Sequence, residues 1–223
     1  MPDVPTREYS DFHPMVEPFA PMVSRPMMDQ ALRLSSVEFC ERTRCWRHIT
    51  TRKVLRAEVN LVCPPYATIF EIESATFEGT RLEPTQYTNV EQGQAAASGT
   101  GMPQYISQVN PQAITLIPFM EGSLVLSMFL KPMAGLDQPL ASDYSPASAD
   151  TFNVVPQFML MQFGEAIAAG ALRRILSLPN QTWTDQKMAM QYGARFDIAC
   201  DNNFRHQMKG QHRAPSRARA TYF

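Results

Sequence analysis

Arg205, Lys209, Arg213, Arg217 and Arg219 are spread along residues 205–223 with no Asp or Glu among them, and the segment closes on Tyr222 and Phe223. Guanidinium groups make paired, charge-assisted hydrogen bonds to carboxylates or phosphates. Aromatic rings at a chain end fill apolar pockets as anchors. The segment has almost no apolar residue before its two terminal rings, so it cannot bury a core of its own. Two uses are open to such an arm: docking on a protein through Arg213, Arg217, Arg219, Tyr222 and Phe223, or contact with a polyanion. A solvated terminus is the plain alternative.

The other residues that could do chemistry point elsewhere. The histidines are His13, His48, His206 and His212, and none has a carboxylate or cysteine at metal-ligand spacing. No serine sits in a G-x-S-x-G setting, and the glycines around Gly99 and Gly101 form no phosphate-binding loop. Glu71 and Glu73 alternate on a strand pattern and are expected to face solvent. Cys40, Cys45, Cys63 and Cys200 match no metal motif. Cys40 and Cys45 are expected on different sides of a helix, so all four read as reduced thiols filling small apolar sites. No cofactor is implied, and the chain does not read as an enzyme. The run from Arg42 to His48, RTRCWRH, mixes cations with one Trp. It reads either as a partner contact or, more simply, as a helix end whose cations complement the C-terminal dipole while Trp46 closes a buried stripe.

The 223 residues are 44% hydrophobic, enough for a sizeable core, and only 18% charged. A thin charged surface of that kind suits a protein that hides surface against partners. Net charge is −1; with five cations in the arm, the rest of the chain sums to about −6, which does not describe a general nucleic-acid binder. No N-terminal signal pattern is expected, because Asp3, Glu8, Asp11 and Glu17 interrupt the first twenty residues. No stretch is apolar for long enough to span a membrane.

Residues 1–25 are rich in proline and are expected to be an extended segment. A helix is predicted over 26–48, capped by Ser24, with Met28, Leu32, Ser35, Phe39, Arg42 and Trp46 on one face. The period then changes to two. Strands are predicted over 53–62, 68–73, 76–82, 104–109, 113–118 and 123–131, with turns at Glu78-Gly79 and Glu121-Gly122, the second as a hairpin. Residues 88–101 read as a mobile loop. Helical spacing returns over 156–178, where Gly164, Ala168 and Gly170 allow a close helix neighbour, and over 183–208, with Thr182 and Asp185 as a capping box. The expected fold is α+β: a helical bundle (26–49 and 156–208) with an inserted β domain (50–140), a linker (141–155) and an extended C-terminal arm (209–223).

Several fragments, taken in order, resemble the head-to-tail adaptor (connector) proteins of tailed bacteriophages. They are Tyr9-Ser10-Asp11-Phe12; ALRLSSVEFCERTRCW over 31–46; Leu130-Lys131-Pro132; the Ala-Gly-Ala-Leu-Arg-Arg-Ile-Leu of 169–176; Pro179 followed by Trp183; and the closing Arg-Ala-Arg-Ala-Thr-Tyr-Phe. The resemblance covers both helical parts and the tail, while the β stretch matches only in general character. It implies a virion protein of the head-tail interface, assembled in the host cytoplasm. Its ring, commonly of twelve copies, would sit under the portal and meet a downstream tail or nozzle protein, with genomic DNA passing through without specific binding. On this reading the C-terminal arm, with Arg213, Arg217, Arg219, Tyr222 and Phe223, reaches the portal. The acidic remainder departs from a simple DNA-channel picture, although a channel that lets DNA slide should not bind it tightly. The alternatives are a DNA-binding protein using the basic arm, which predicts salt-dependent affinity lost with the arm, and an enzyme, which predicts a pocket of convergent polar groups.

Overall fold

The computed structural model describes residues 5–56, 58–59, 62–85, 101–133 and 153–208. The arm 209–223, nearly all of the loop 88–101 and most of the linker 141–155 lie outside the described residues. The fold is α+β.

The N-terminal segment is not simply extended. Strand β1 (Thr6–Glu8) runs into a 3-10 turn (Tyr9–Phe12) and a short helix, α1 (His13–Val16). Tyr9, Phe12, Val16, Ala20 and Val23 are buried in the main core. Their spacing is helical; Pro14 sits in the first turn of α1, and Pro18 and Pro21 keep that helix from continuing.

Helix α2 (Arg25–Thr43) buries Met28, Ala31, Leu32, Ser35, Ser36, Phe39, Cys40 and Thr43. It stops five residues before the expected end. Arg44 takes a left-handed conformation at φ 53°, and its N–H donates to the Cys40 carbonyl at 2.8 Å, closing the helix. The chain then turns at once into strand β2 (Arg47–Val54), so His48 is a strand residue and the β region starts earlier than expected. The β-branched run Ile49-Thr50-Thr51 explains the change, because such side chains suit a pleated sheet better than a helix.

Two four-stranded sheets follow. The first has the order β2-β9-β4-β5, built from β2, β4 (Ala67–Phe77), β5 (Thr80–Arg81) and β9 (Gly122–Pro132). The second has the order β3-β8-β7-β6, built from β3 (Glu58–Val59), β6 (Glu83–Pro84), β7 (Tyr105–Asn110) and β8 (Ala113–Ile117). The turn at Glu78-Gly79 is as expected: both residues have positive φ, 47° and 84°, and Phe77 pairs with Thr80. The hairpin at Glu121-Gly122 is not. β8 and β9 belong to different sheets, and Ile117–Gly122 is a crossing between them. Pro118 has no N–H to continue the ladder, so the chain leaves the sheet there. The predicted strand over 53–62 is likewise divided between β2 and β3, and Leu55, at the corner, is 59% exposed instead of buried.

Strand β10 (Val154–Pro156) pairs antiparallel with β1 and leads directly into α3 (Gln157–Leu176), whose first N–H, that of Gln157, donates to the Pro5 carbonyl. After the turn at Pro179, α4 (Gln186–Met208) completes the helical layer. Its cap is Asp185 itself, which accepts from the Met188 N–H at 3.0 Å. Thr182 is not the cap; Thr184 instead donates its hydroxyl to the Leu178 carbonyl and accepts from the Gln181 N–H, fixing the turn. A Cβ on Gly170 of α3 would lie 2.7 Å from the Phe196 ring on α4 and 3.1 Å from Ser35 on α2. The three helices meet at that point only because Gly170 has no side chain. Helices and sheets share one hydrophobic cluster.

Candidate interaction surfaces

The cations of 42–48 do not form a free basic patch. The αL turn at Arg44 divides them between the two halves of the molecule. Arg42 points to the helical layer, where its guanidinium bonds Asp197 and reaches Asp201 at 3.6 Å. The bond to Asp197 raises the Arg42 pKa. Glu38 accepts from both Arg173 and Arg174 at 2.6 Å. Arg42 and Arg173 also lie over the Phe196 ring, at 5.7 and 5.1 Å from its centre. Half-exposed pairs of this kind each contribute little, but as a network they fix how α2, α3 and α4 sit together.

Arg44 and Arg47 point to the first sheet. Arg44 pairs with Glu71 and Arg47 with Glu73, each at 2.7 Å, and Ser127 Oγ donates to Glu73 as well. Both guanidiniums flank the Phe129 ring. Glu71 and Glu73, expected to face solvent, keep 44% and 34% of their side chains exposed, and they also form the sheet's side of this joint. Trp46 is buried, stacked on Tyr66 with ring centres 5.8 Å apart and edge-on to Phe158 at 6.5 Å. His48 is half-buried, and burial followed by the nearby Arg52 lowers its pKa.

His13 lies in a folded segment, not a loose end. Its Nε2 is 2.7 Å from Asp29 Oδ1, tying α1 to α2. Among the described residues no three His, Cys, Asp or Glu side chains converge as metal ligands, and no helix is long and apolar enough to cross a membrane.

Among the described residues two surfaces combine exposed apolar side chains with a defined shape. A cleft of about 760 Å³ opens between the N-terminal segment, α3 and α4, lined mainly by Met15, Phe19, Phe163, Ala166, Tyr192 and Ala199, with Glu165 and Arg195 as its ionisable groups. Phe19 packs edge-on to Tyr192 at 5.6 Å across it. Beyond the cleft, Met22, Met161, Met190 and Ile198 are strongly exposed, with Met190 at 76%. On α4 the residues divide by spacing: Ala189, Phe196 and Cys200 are core, Tyr192, Arg195, Ala199 and Asn203 line the cleft, and Met190 and Ile198 face solvent. The second surface is the outer face of the first sheet. There Ile49 pairs with Ser127, Thr51 with Val125, and Val125 with Thr76; Ile49 and Val125 are exposed.

Of the docking residues read from the sequence, Arg213, Arg217, Arg219, Tyr222 and Phe223 lie outside the described residues. Arg205, the first cation of the basic segment, is still on α4 and exposed. The cleft was not foreseen; the helical spacing of Phe12, Val16, Ala20 and Val23 was the signal that the N-terminal segment packs on the helices and forms one wall of it. No family model matches the chain, and the search of curated proteins finds no significant relative.

Proposed function

We propose that this chain is a structural adaptor subunit that assembles into a ring joining the portal of a tailed bacteriophage to its tail, with the C-terminal arm as the portal-docking element. The observation that carries the reading is a pair of unlike surfaces among the described residues: an apolar helical cleft lined by Met15, Phe19, Phe163 and Tyr192, with Met22, Met161 and Met190 exposed beyond it, and a threonine- and serine-rich sheet face with exposed Ile49 and Val125. A subunit in a closed ring offers one face to the next subunit's different face, so it needs two unlike surfaces. The Glu38, Arg42, Arg173 and Arg174 network and the close approach at Gly170 support the same reading, because a ring wall needs a helical layer of fixed geometry. The exposed Met22, Met161 and Met190 are flexible side chains that adapt to a partner's shape.

The test is assembly. Purified chain mixed with portal-bearing, tail-less heads is imaged by electron microscopy, beside a truncation lacking residues 213–223. The reading expects a ring of copies under the portal with the full chain and none with the truncation. Density outside any cyclic ring would overturn it. Salt-sensitive DNA binding by the free chain that vanishes with the arm, in the absence of a ring, would instead favour a DNA-binding protein.

A further inference from the structure

We infer that Cys40 and Cys45 form a redox-modification site: a dithiol at the joint between helix α2 and the first sheet that small-molecule disulfides oxidise to an intramolecular disulfide. The two Sγ atoms are 3.8 Å apart. The sequence places these residues on different sides of a helix; the structure brings them together because α2 ends at Thr43 and the left-handed Arg44 swings residue 45 back onto the last turn. A disulfide needs the sulfurs to close to about 2.05 Å. Cys45 sits just beyond the helix, where the Arg44 turn and the start of β2 can adjust, so a shift of that size does not require moving the helix.

The two thiols divide the roles of attack and resolution. Cys45 keeps part of its surface open, while Cys40 is fully buried. The hydrogen bond shared with Cys40 lowers the Cys45 thiol below its ordinary value, and burial raises Cys40. The thiolate is the attacking form, and the partly open Cys45 is the thiol a small disulfide can reach, so Cys45 reacts first. Its sulfur attacks one sulfur of a small disulfide such as oxidised glutathione; the Cys45–glutathione bond forms, the glutathione S–S bond breaks, and one glutathione leaves and takes a proton from water. Cys40 then gives its proton to water and attacks Cys45 Sγ. The Cys40–Cys45 bond forms and the second glutathione leaves as a thiol. Overall, two protein thiols lose two electrons and two protons, and one small disulfide becomes two thiols.

The link would staple the end of α2 to the start of β2, across the point from which Arg42 engages the helices and Arg44 and Arg47 engage the sheet. It would hold the two halves of the molecule at a fixed angle until a reductant releases it.

The chain's own arginines make the test direct. Trypsin cuts after Arg33, Arg42, Arg44 and Arg47, so Leu34–Arg42 and Cys45–Arg47 separate unless a disulfide joins them. Native full-length protein is incubated with oxidised glutathione, alkylated, digested without reductant and analysed by mass spectrometry. The expected result is a joined pair of those two peptides, two hydrogens lighter than their sum and separated by dithiothreitol, with Cys63 and Cys200 still unmodified inside the core. Cys40→Ala should stop at a stable glutathione adduct on Cys45, and Cys45→Ser should leave Cys40 without an adduct. Cys45→Ser changes a partly exposed position and keeps that arm interpretable if Cys40→Ala fails to fold. Two separate peptides from the oxidised wild-type chain, with Cys45 fully alkylated, would overturn the inference; so would a link from Cys40 to Cys200.

Discussion

The meeting of α2, α3 and α4 is settled by side chains. Phe39 packs on Phe163 and Phe196 with ring centres 5.0 and 6.2 Å apart, Gly170 lets the helices close, and Glu38 gathers two arginines from the neighbouring helix. The first sheet is settled mostly by its backbone ladder: β9 is paired along its length with β2 on one side and β4 on the other, while its outer face leaves Ser123 and Val125 exposed and buries only Phe129, under Arg44 and Arg47. The difference shows where substitution is costly and where surface is free. In the helical layer a single side chain can decide the geometry. Around Ile49 and Val125 on the outer face, away from the Arg44, Arg47 and Phe129 joint, side chains can change without disturbing the ladder.

The strongest test of the contrast is at its most buried ring. Phe39 has no exposed surface. Phe39→Ala should lower stability by about 3–5 kcal/mol, from lost transfer energy plus the cavity left behind, read as a fall in the urea midpoint at unchanged slope. A loss under about 1 kcal/mol would mean the helices do not depend on that packing, and the contrast would fail.

Gly170→Val examines the same junction from the opposite side. Its Cβ would press on Phe196 and Ser35, so overpacking should cost about 1–3 kcal/mol. If the helices slide apart without loss, their spacing is not fixed by the small residue.

Asp185→Ala removes the side-chain bond to the Met188 N–H and should cost about 1 kcal/mol by thermal or urea unfolding. Substituting Thr182 should cost less, because it is not the cap.

On the sheet, Val125→Thr keeps a β-branched side chain on an exposed position. Stability should stay within about 0.5 kcal/mol of the parent. A larger loss would show that the outer face is part of the core after all. Unchanged stability together with loss of the proposed ring would mark the face as an interface.

The α+β class and the three long helices were legible because their periods are clean: 3.6 in α2, α3 and α4, and two in the strands. Strand pairing was not. Nothing local tells Ile117-Pro118 whether to form a hairpin or to cross between sheets, because the outcome depends on which distant strand offers a free ladder. The end of α2 extends too far in the sequence reading because Arg42 and Trp46 continue the helical spacing, whereas the chain breaks at an αL arginine that carries no glycine signal. That one misreading hid both the division of the cations and the approach of Cys40 to Cys45. The proline-rich start hid a core segment because proline marks where a helix stops and not whether the residues between are buried.

The smallest expected effect lies at the joint between the two regions and reads out by pH. His48 is half-buried on β2, and burial, aided by Arg52, holds its pKa below the ordinary value of 6.5. In the unfolded chain the imidazole protonates near 6.5. As pH falls through that value, the unfolded state takes up a proton that the folded state resists. The contribution of His48 is therefore present above the unfolded pKa, declines as pH drops below it, and stops changing below the depressed folded pKa. Wild-type protein should lose stability between about pH 7 and pH 5.5, and His48→Gln, which cannot protonate, should lose less over the same range once both are referred to their values at neutral pH. Carboxylates titrate mainly below that window, so the difference between the two curves isolates the histidine. Parallel curves would mean that His48 is as solvated in the fold as in the unfolded chain, and that the joint is more open to water than the packing of Trp46 against Tyr66 requires.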